Sequence, residues 1–335
     1  MPLDISKLPP MPSRDAGGSF ELDDPDDGTP IKETLSLNDR LLLITEKCTY
    51  EVKLADQIDP KRTNPNLPHN VRRKLFNHGT NSELLCNTLL LAKVMFRKEF
   101  QPQLDIASAM ARALDALAEI VSMEQVAKDF GAAQSAAIEK AALVKQQARS
   151  FSLPSLGNVD RDCKTFTQKA HHFGGALLKI VRLFYPEAKN WDKFHEIVQA
   201  RYGKDDPICV VVAETKPGLL LVLNTRDSLE HHNEGVTTID FEMQPDGSIA
   251  PPTIEVAYRK SKLARCSILS FMEGMTKSLL ISFEMIVTHM CSKSAQPFAG
   301  MPITIGLLSD SYRAAWHVRF AYGMYGTDGQ FAPIG

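Results

Sequence analysis

A mainly α-helical protein is what this 335-residue sequence predicts: a helical N-terminal domain, then a helical bundle carrying one β-hairpin insertion. Three observations predict it. Apolar residues recur from Ile106 through Met110, Leu114, Leu117 and Val121, a rhythm of four, three and four that defines one buried helical stripe. Proline, glycine and serine gather where such runs stop. One stretch, 236–258, changes to the period-two alternation of a half-buried strand.

Residues 1–33 hold Pro9, Pro10, Pro12, Gly17, Gly18 and the acidic run Asp23-Asp-Pro-Asp-Asp27 with few apolar anchors, the composition of a flexible acidic tail. A helical domain of unassigned role is expected over 34–150. Within it, Asn38 to about Ile58 reads as an amphipathic helix stopped at Asp59-Pro60, and 62–69 as a proline-stiffened loop. A second helix covers about Ser82 to Phe100. The third starts at Ile106, and the alanine-rich residues 127–149 continue in helical style, as part of a bundle or a long antiparallel hairpin. Residues 151–160, rich in Ser, Pro and Gly, read as a linker and the domain boundary.

The second domain, 161–335, opens with helices over 161–185 and 190–202, separated at Tyr185-Pro186. An apolar helix over 206–232 follows, with a kink expected at Pro217. Val236–Gln244 and Thr253–Tyr258 alternate apolar and polar residues around the turn-forming Pro245-Asp-Gly-Ser248, which makes a β-hairpin. A long helix from about Lys262 to Met290 comes next, with Leu269, Met272, Leu279, Phe283, Ile286 and Met290 near one face. Beyond Pro302, β-branched and aromatic residues indicate extended structure.

Composition narrows the function. The hydrophobic fraction of 44% supports a sizeable core. A formal charge of −2 and a pI near 6.5 deny the chain the overall basic field that drives nonspecific duplex binding, so any nucleic-acid contact is local. Six scattered cysteines form no CxxC pair and no zinc spacing, and read as reduced core residues. Carboxylates, histidines and cysteines show no metal-ligand clustering, so neither a metal nor a cofactor is expected. The N-terminus lacks a basic region followed by an apolar stretch, which argues against a secretory signal and for a cytoplasmic protein. Leu279–Cys291, short and carrying Glu284 and His289, reads as a core helix, with no membrane association.

Arg226, Asp227 and His231, at the end of an apolar run, carry the clearest chemistry. A neutral histidine takes a proton from a ribose 2′-hydroxyl and a permanently charged arginine stabilises the phosphorane; Asp227 orients either. Competing spacings fare worse: Arg62 and His69 lie in a proline-broken loop, and Arg72 and Arg73 precede a His78 followed by glycine. Five residues on an ideal helix separate two side chains by about 140°, so the pair serves one centre only where the helix ends, as Asn233-Glu-Gly235 indicates.

Helix, Arg-Asp-Ser-Leu-Glu-His-His, acidic turn, hairpin and long apolar helix together resemble the HEPN superfamily, four-helix domains with an Arg-x4–6-His motif. The resemblance covers roughly 161–291. It implies metal-independent RNA cleavage of the toxin or antiviral-defence type, with Arg226, Asp227 and His231 at the motif positions, a homodimer that builds one cleft from two motifs, and an antitoxin or trigger protein as a further partner.

Two other surfaces are candidates for RNA contact. Arg72 and Arg73, with Lys61 and Lys74, form a small basic patch suited to phosphate. Arg313 and Arg319 flank Trp316 and His317, the kind of surface on which bases stack. A solvated face is the plainer meaning of the first and a structural strand of the second. His171-His172 is set aside because adjacent helical residues diverge by about 100°. His195 and Glu196 are auxiliary candidates. Glu51-Val-Lys53 matches the tail of an ExK nuclease motif, with Asp39 upstream, but such chemistry needs a metal-binding acidic strand pair and these residues read as helical. The competing function is a noncatalytic helical dimerisation or interaction protein, in which Arg226, Asp227 and Glu230 are a solvated helix end with local ion pairs.

Overall fold

A computed structural model describes residues 11, 14, 27–37, 40–143, 151–231, 234–298, 300–326 and 329–334. About 52% of the chain is helical and 20% is strand, and the described strands form four sheets. The expected mainly α class is therefore wrong, and the error lies chiefly in the first hundred residues. The chain divides into two compact units, Met1–Cys86 and Asn87–Gly335.

The first unit is an antiparallel four-stranded meander, β1 (Glu33–Leu37), β2 (Arg40–Ile44), β3 (Thr49–Leu54) and β4 (Asn70–Phe76), with a single helical turn α1 (Ala55–Ile58) after β3. The expected helix over 38–58 is two strands instead. Leu41–Ile44 is a short apolar run and Thr49–Val52 is buried throughout, so neither shows the alternation that marks a one-sided strand. Leu37 pairs with Arg40 across Asn38 and Asp39, residue types that favour tight hairpins. Leu43, Cys48, Tyr50 and Val52 form a core cluster against Ile31 and Leu41.

Part of the presumed tail belongs to this unit. Asp27 is buried; it accepts hydrogen bonds from Thr45 Oγ1 at 2.6 Å, Tyr50 Oη at 2.9 Å and Thr29. Arg14, with a side chain only 3% exposed, pairs with Asp56 at 3.1 Å and Asp59 at 3.0 Å. The reading of 1–33 as a flexible tail fails at these residues because single polar groups, rather than apolar ones, anchor the segment. Asp23, Asp24 and Asp26 lie outside the described residues.

Asp27 is expected to make the stability of the first unit depend on pH. Burial raises its pKa, but hydrogen bonds from Thr29, Thr45 and Tyr50 together outweigh burial and hold it below the ordinary 3.8. A depressed folded-state pKa contributes stability that is present above the unfolded value and lost as pH falls through the folded one. Unfolding by denaturant at pH 7 and pH 3 is expected to show a smaller difference in Asp27→Asn than in wild type; an equal difference would remove Asp27 from the acid response.

The helical turn α2 (Glu83–Leu85) belongs to the first unit and α3 (Leu91–Met95) to the second; with a π-helical turn over Cys86–Leu90 they occupy the span expected to hold one helix, and the chain divides after Cys86. Four long helices, α4 (Ile106–Leu143), α5 (Val159–Phe184), α7 (Pro207–His231) and α8 (Ile268–Ser294), pack as a bundle, and α6 (Trp191–Tyr202) lies against α7. Their starts follow local chemistry. Asn158 accepts from the Arg161 amide at 3.0 Å and Asn190 from the Lys193 amide at 2.8 Å, the side-chain caps that orphan helix N–H groups require. Phe166, Phe173, Ile180, Val212, Leu279, Phe283 and Met290 are buried among them.

The proposed linker 151–160 lies inside this unit: α4 and α5, on either side of it, pack directly on one another. Residues 144–150 are outside the described part. α7 runs through Pro217 without interruption. Among the described residues it is the one helix long and apolar enough to cross a membrane, and 39% of its most apolar window is buried.

Between α7 and α8 the expected hairpin forms, β5 (Val236–Ile239) against β8 (Thr253–Tyr258), with a small ribbon of β6 (Glu242–Met243) and β7 (Ile249–Ala250) in its connection. A third strand, β9 (Ser261–Ser267), joins β8 where the long helix was expected to have begun. That helix starts only at Ile268, where Ser267 caps it by accepting from the Ser270 amide at 3.4 Å. The C-terminal part is a sheet of β10 (Thr304–Leu307), β11 (Phe320–Tyr325) and β12 (Phe331–Pro333), with helix α9 (Asp310–Trp316) between its first two strands. Tyr322 fastens it: its hydroxyl donates to the Met95 carbonyl at 2.9 Å and accepts from Gln101 at 2.8 Å.

Candidate functional site

The end of α7 carries an ion-pair network. Arg226 reaches Glu230 one turn later and Asp227 at 3.4 Å, the i to i+4 geometry that a helix offers. Asp227 also receives Arg259 at 3.0 Å, and Arg259 donates to Asn224 Oδ1 at 3.3 Å. Asn224 in turn donates to Ser261 at 2.8 Å. Arg259 stands between β8 and β9 with φ of 51°, so the network ties the last turns of α7 to that hairpin.

His171, on α5, lies within the field of this cluster. Burial, then the Arg226 cation, then His172 lower its pKa below the ordinary 6.5, while Asp227 and Glu230 oppose them. The imidazole is therefore neutral at pH 7, the state that a general base needs. Its Nδ1 is buried without a hydrogen-bond partner, as is Nε of Arg226. His171 and His172, their ring centres 6.0 Å apart, line a cavity of about 410 Å³ together with Asp115, Glu119 and Lys179. Glu119 Oε1 lies 3.7 Å from His172 Nδ1.

The structure thus brings Arg226 and Asp227 together with Glu230, Arg259 and His171. His231 is the last described residue of α7 and is exposed; among the described residues Arg226 pairs with Asp227 and Glu230 and not with His231. His232 and Asn233 lie outside the described residues. Sequence reasoning set His171 aside on the divergence of adjacent side chains. Its relevant neighbours are on another helix, and nothing in its own segment signals them.

The other candidates sit elsewhere. Arg72 and Arg73 are exposed on β4, and Arg73 pairs with buried Glu51 at 2.6 Å. Arg313 pairs with Asp310 at 3.2 Å on α9. Arg319 is joined to Glu284, a fully buried carboxylate of α8. Glu196 pairs with Lys193 on its own helix. Glu51 and Lys53 lie on a strand, so the helical argument against an ExK site fails, but Glu51 is neutralised by Arg40 at 3.0 Å as well as by Arg73. Among the described residues no group of three His, Cys, Asp or Glu is placed to hold a metal ion. All six cysteines are free thiols, and burial pushes Cys163 up to about 12.

No family model, curated protein or solved structure matches the chain.

Proposed function

We propose that the second unit is a metal-independent RNA-cleaving module of the toxin or antiviral-defence type, working as a homodimer through Arg226, Asp227 and His231. The observation that supports this reading is that α7 carries Arg226 and, more than a turn later, His231 with its side chain exposed, and that the chain is in a turn by Glu234. A neutral imidazole removes the proton of a ribose 2′-hydroxyl, the 2′-oxygen attacks phosphorus as the P–O5′ bond breaks, and the imidazolium so formed returns the proton to the leaving 5′-oxygen. Arg226 stabilises the phosphorane after exchanging Glu230 for the phosphate. Because Arg226 and His231 diverge on one helix, the second copy supplies the missing group.

Single-turnover cleavage of a labelled RNA is expected to fall about 100-fold or more in His231→Ala, with unchanged circular dichroism. Equal cleavage by both proteins would take His231 out of the mechanism.

One observation favours a second reading, a noncatalytic interaction module. Arg226 is bound by two carboxylates, and Asp227 by a second arginine, which is the arrangement of a structural helix end. Absence of cleavage by wild type and variant alike, with dimerisation intact by sedimentation, supports that reading.

A further inference from the structure

A second cavity, of about 300 Å³, opens beside the C-terminal end of α5 and uses none of the Arg226 network. That volume lies at the small end of the range for ligand sites. Leu104, Leu183 and Phe184 give it an apolar, aromatic side; Arg201 and Lys293 give it two cations; no carboxylate lines it. The cations converge on one phenol. The Arg201 guanidinium lies 5.6 Å from the Tyr202 ring centre and 6.0 Å from that of Tyr185, and Lys293 Nζ lies 4.9 Å from Tyr202.

Lys293 is balanced by Asp206 at 2.6 Å, whereas Arg201 has no carboxylate partner among the described residues. The cavity therefore carries positive charge in a chain whose formal charge is −2. Its floor is fixed. Gln101 donates to the Cys291 carbonyl and to Tyr322, each at 2.8 Å, and accepts from Ser294 at 2.8 Å. The Tyr185 and Tyr202 hydroxyls are 3.2 Å apart, and burial keeps the Tyr185 phenol protonated.

We infer that this cavity binds a nucleoside monophosphate, with the phosphate on Arg201 and Lys293 and the base against Phe184. A bare anion leaves the apolar side uncovered, and a neutral aromatic leaves Arg201 without a counter-charge. The combination of guanidinium, ammonium and aromatic face matches both halves of a nucleotide.

Calorimetric titration of the full chain with adenosine monophosphate, adenosine and inorganic phosphate tests this. Adenosine monophosphate is expected to bind, and each of the other two to bind at least about tenfold more weakly. Arg201→Gln, which sits on an exposed face of α6, is expected to lower nucleotide affinity about tenfold while leaving the ligand-free melting temperature in place. Phe184→Leu, which keeps apolar volume, is expected to weaken the nucleotide but not inorganic phosphate. Three results would each overturn the assignment: no nucleotide binding by folded wild type at millimolar concentration, equal affinity for phosphate and nucleotide, or nucleotide binding that both substitutions leave unchanged.

Discussion

Arg319→Ala is expected to cost the second unit about 3 kcal/mol, the lower end for breaking a buried ion pair. Glu284 has no solvent exposure on α8, and Arg319 holds both of its oxygens, with Nε donating to Oε1 at 2.8 Å. Removing the guanidinium leaves a carboxylate inside the core that must stay unpaired or take up a proton, and either is costly. The side chain of Arg319 keeps 39% exposure, so water screens part of the loss. Urea unfolding followed by circular dichroism measures the effect. Replacing Glu284 by leucine in the same chain is expected to restore much of the stability, because a buried apolar side chain of about the same volume as glutamate needs no counter-charge. If Arg319 serves only as an RNA contact, the single variant keeps its full stability.

Gly79→Ala is expected to remove most of the stability of the first unit, by about 4 kcal/mol of overpacking and broken hydrogen bonds. A Cβ at this position stands 2.3 Å from the Thr45 carbonyl oxygen, 2.4 Å from the Glu46 carbonyl carbon and 2.5 Å from the Lys47 nitrogen. All three are backbone atoms, so no rotamer change relieves the clash. Moving the segment apart breaks the bonds from Thr80 N to Thr45 O at 2.9 Å and from Asn81 N to Glu46 O at 3.0 Å. Gly131→Ala is the control. Its Cβ meets only Leu269 methyl groups at 3.5 Å, an ordinary contact, and alanine favours the helix there. Amide hydrogen exchange over β2 and β3 distinguishes the two variants: protection in those strands is expected to collapse in the first and persist in the second.

Helices with one buried stripe and a polar cap were legible in the sequence. The starts near Asn158 and Asn190 and the stop at Tyr185-Pro186 follow from side-chain oxygen acceptors and a missing amide hydrogen. β2 and β3 were not, because a short run with little polar interruption fits a buried helix and a buried strand equally well. Thr49, Tyr50 and Val52 held the better clue, being β-branched or aromatic. Strand β9 escaped because Ser-Lys-Leu-Ala-Arg-Cys-Ser alternates weakly and precedes a strongly apolar helix. At the candidate site, Arg226, Asp227 and Glu230 share one helix and could be read together. Arg259 and His171 come from other elements and join them only in three dimensions. The Arg201 cavity, built from several separated segments, left no mark in any one of them.

The meander of β1 to β4 pairs only strands that follow one another in the chain, whereas α4 packs on α8, the last of the bundle helices to be translated. On the ribosome the first unit has all its strands once β4 has emerged. The bundle must wait. After Phe184 is added, roughly 5–20 s pass at ordinary elongation rates before Ser294 is in place. During that interval α7 is made and can cover part of α5, but the faces of α4 and α5 that pack on α8 stay uncovered until Ser294 is reached.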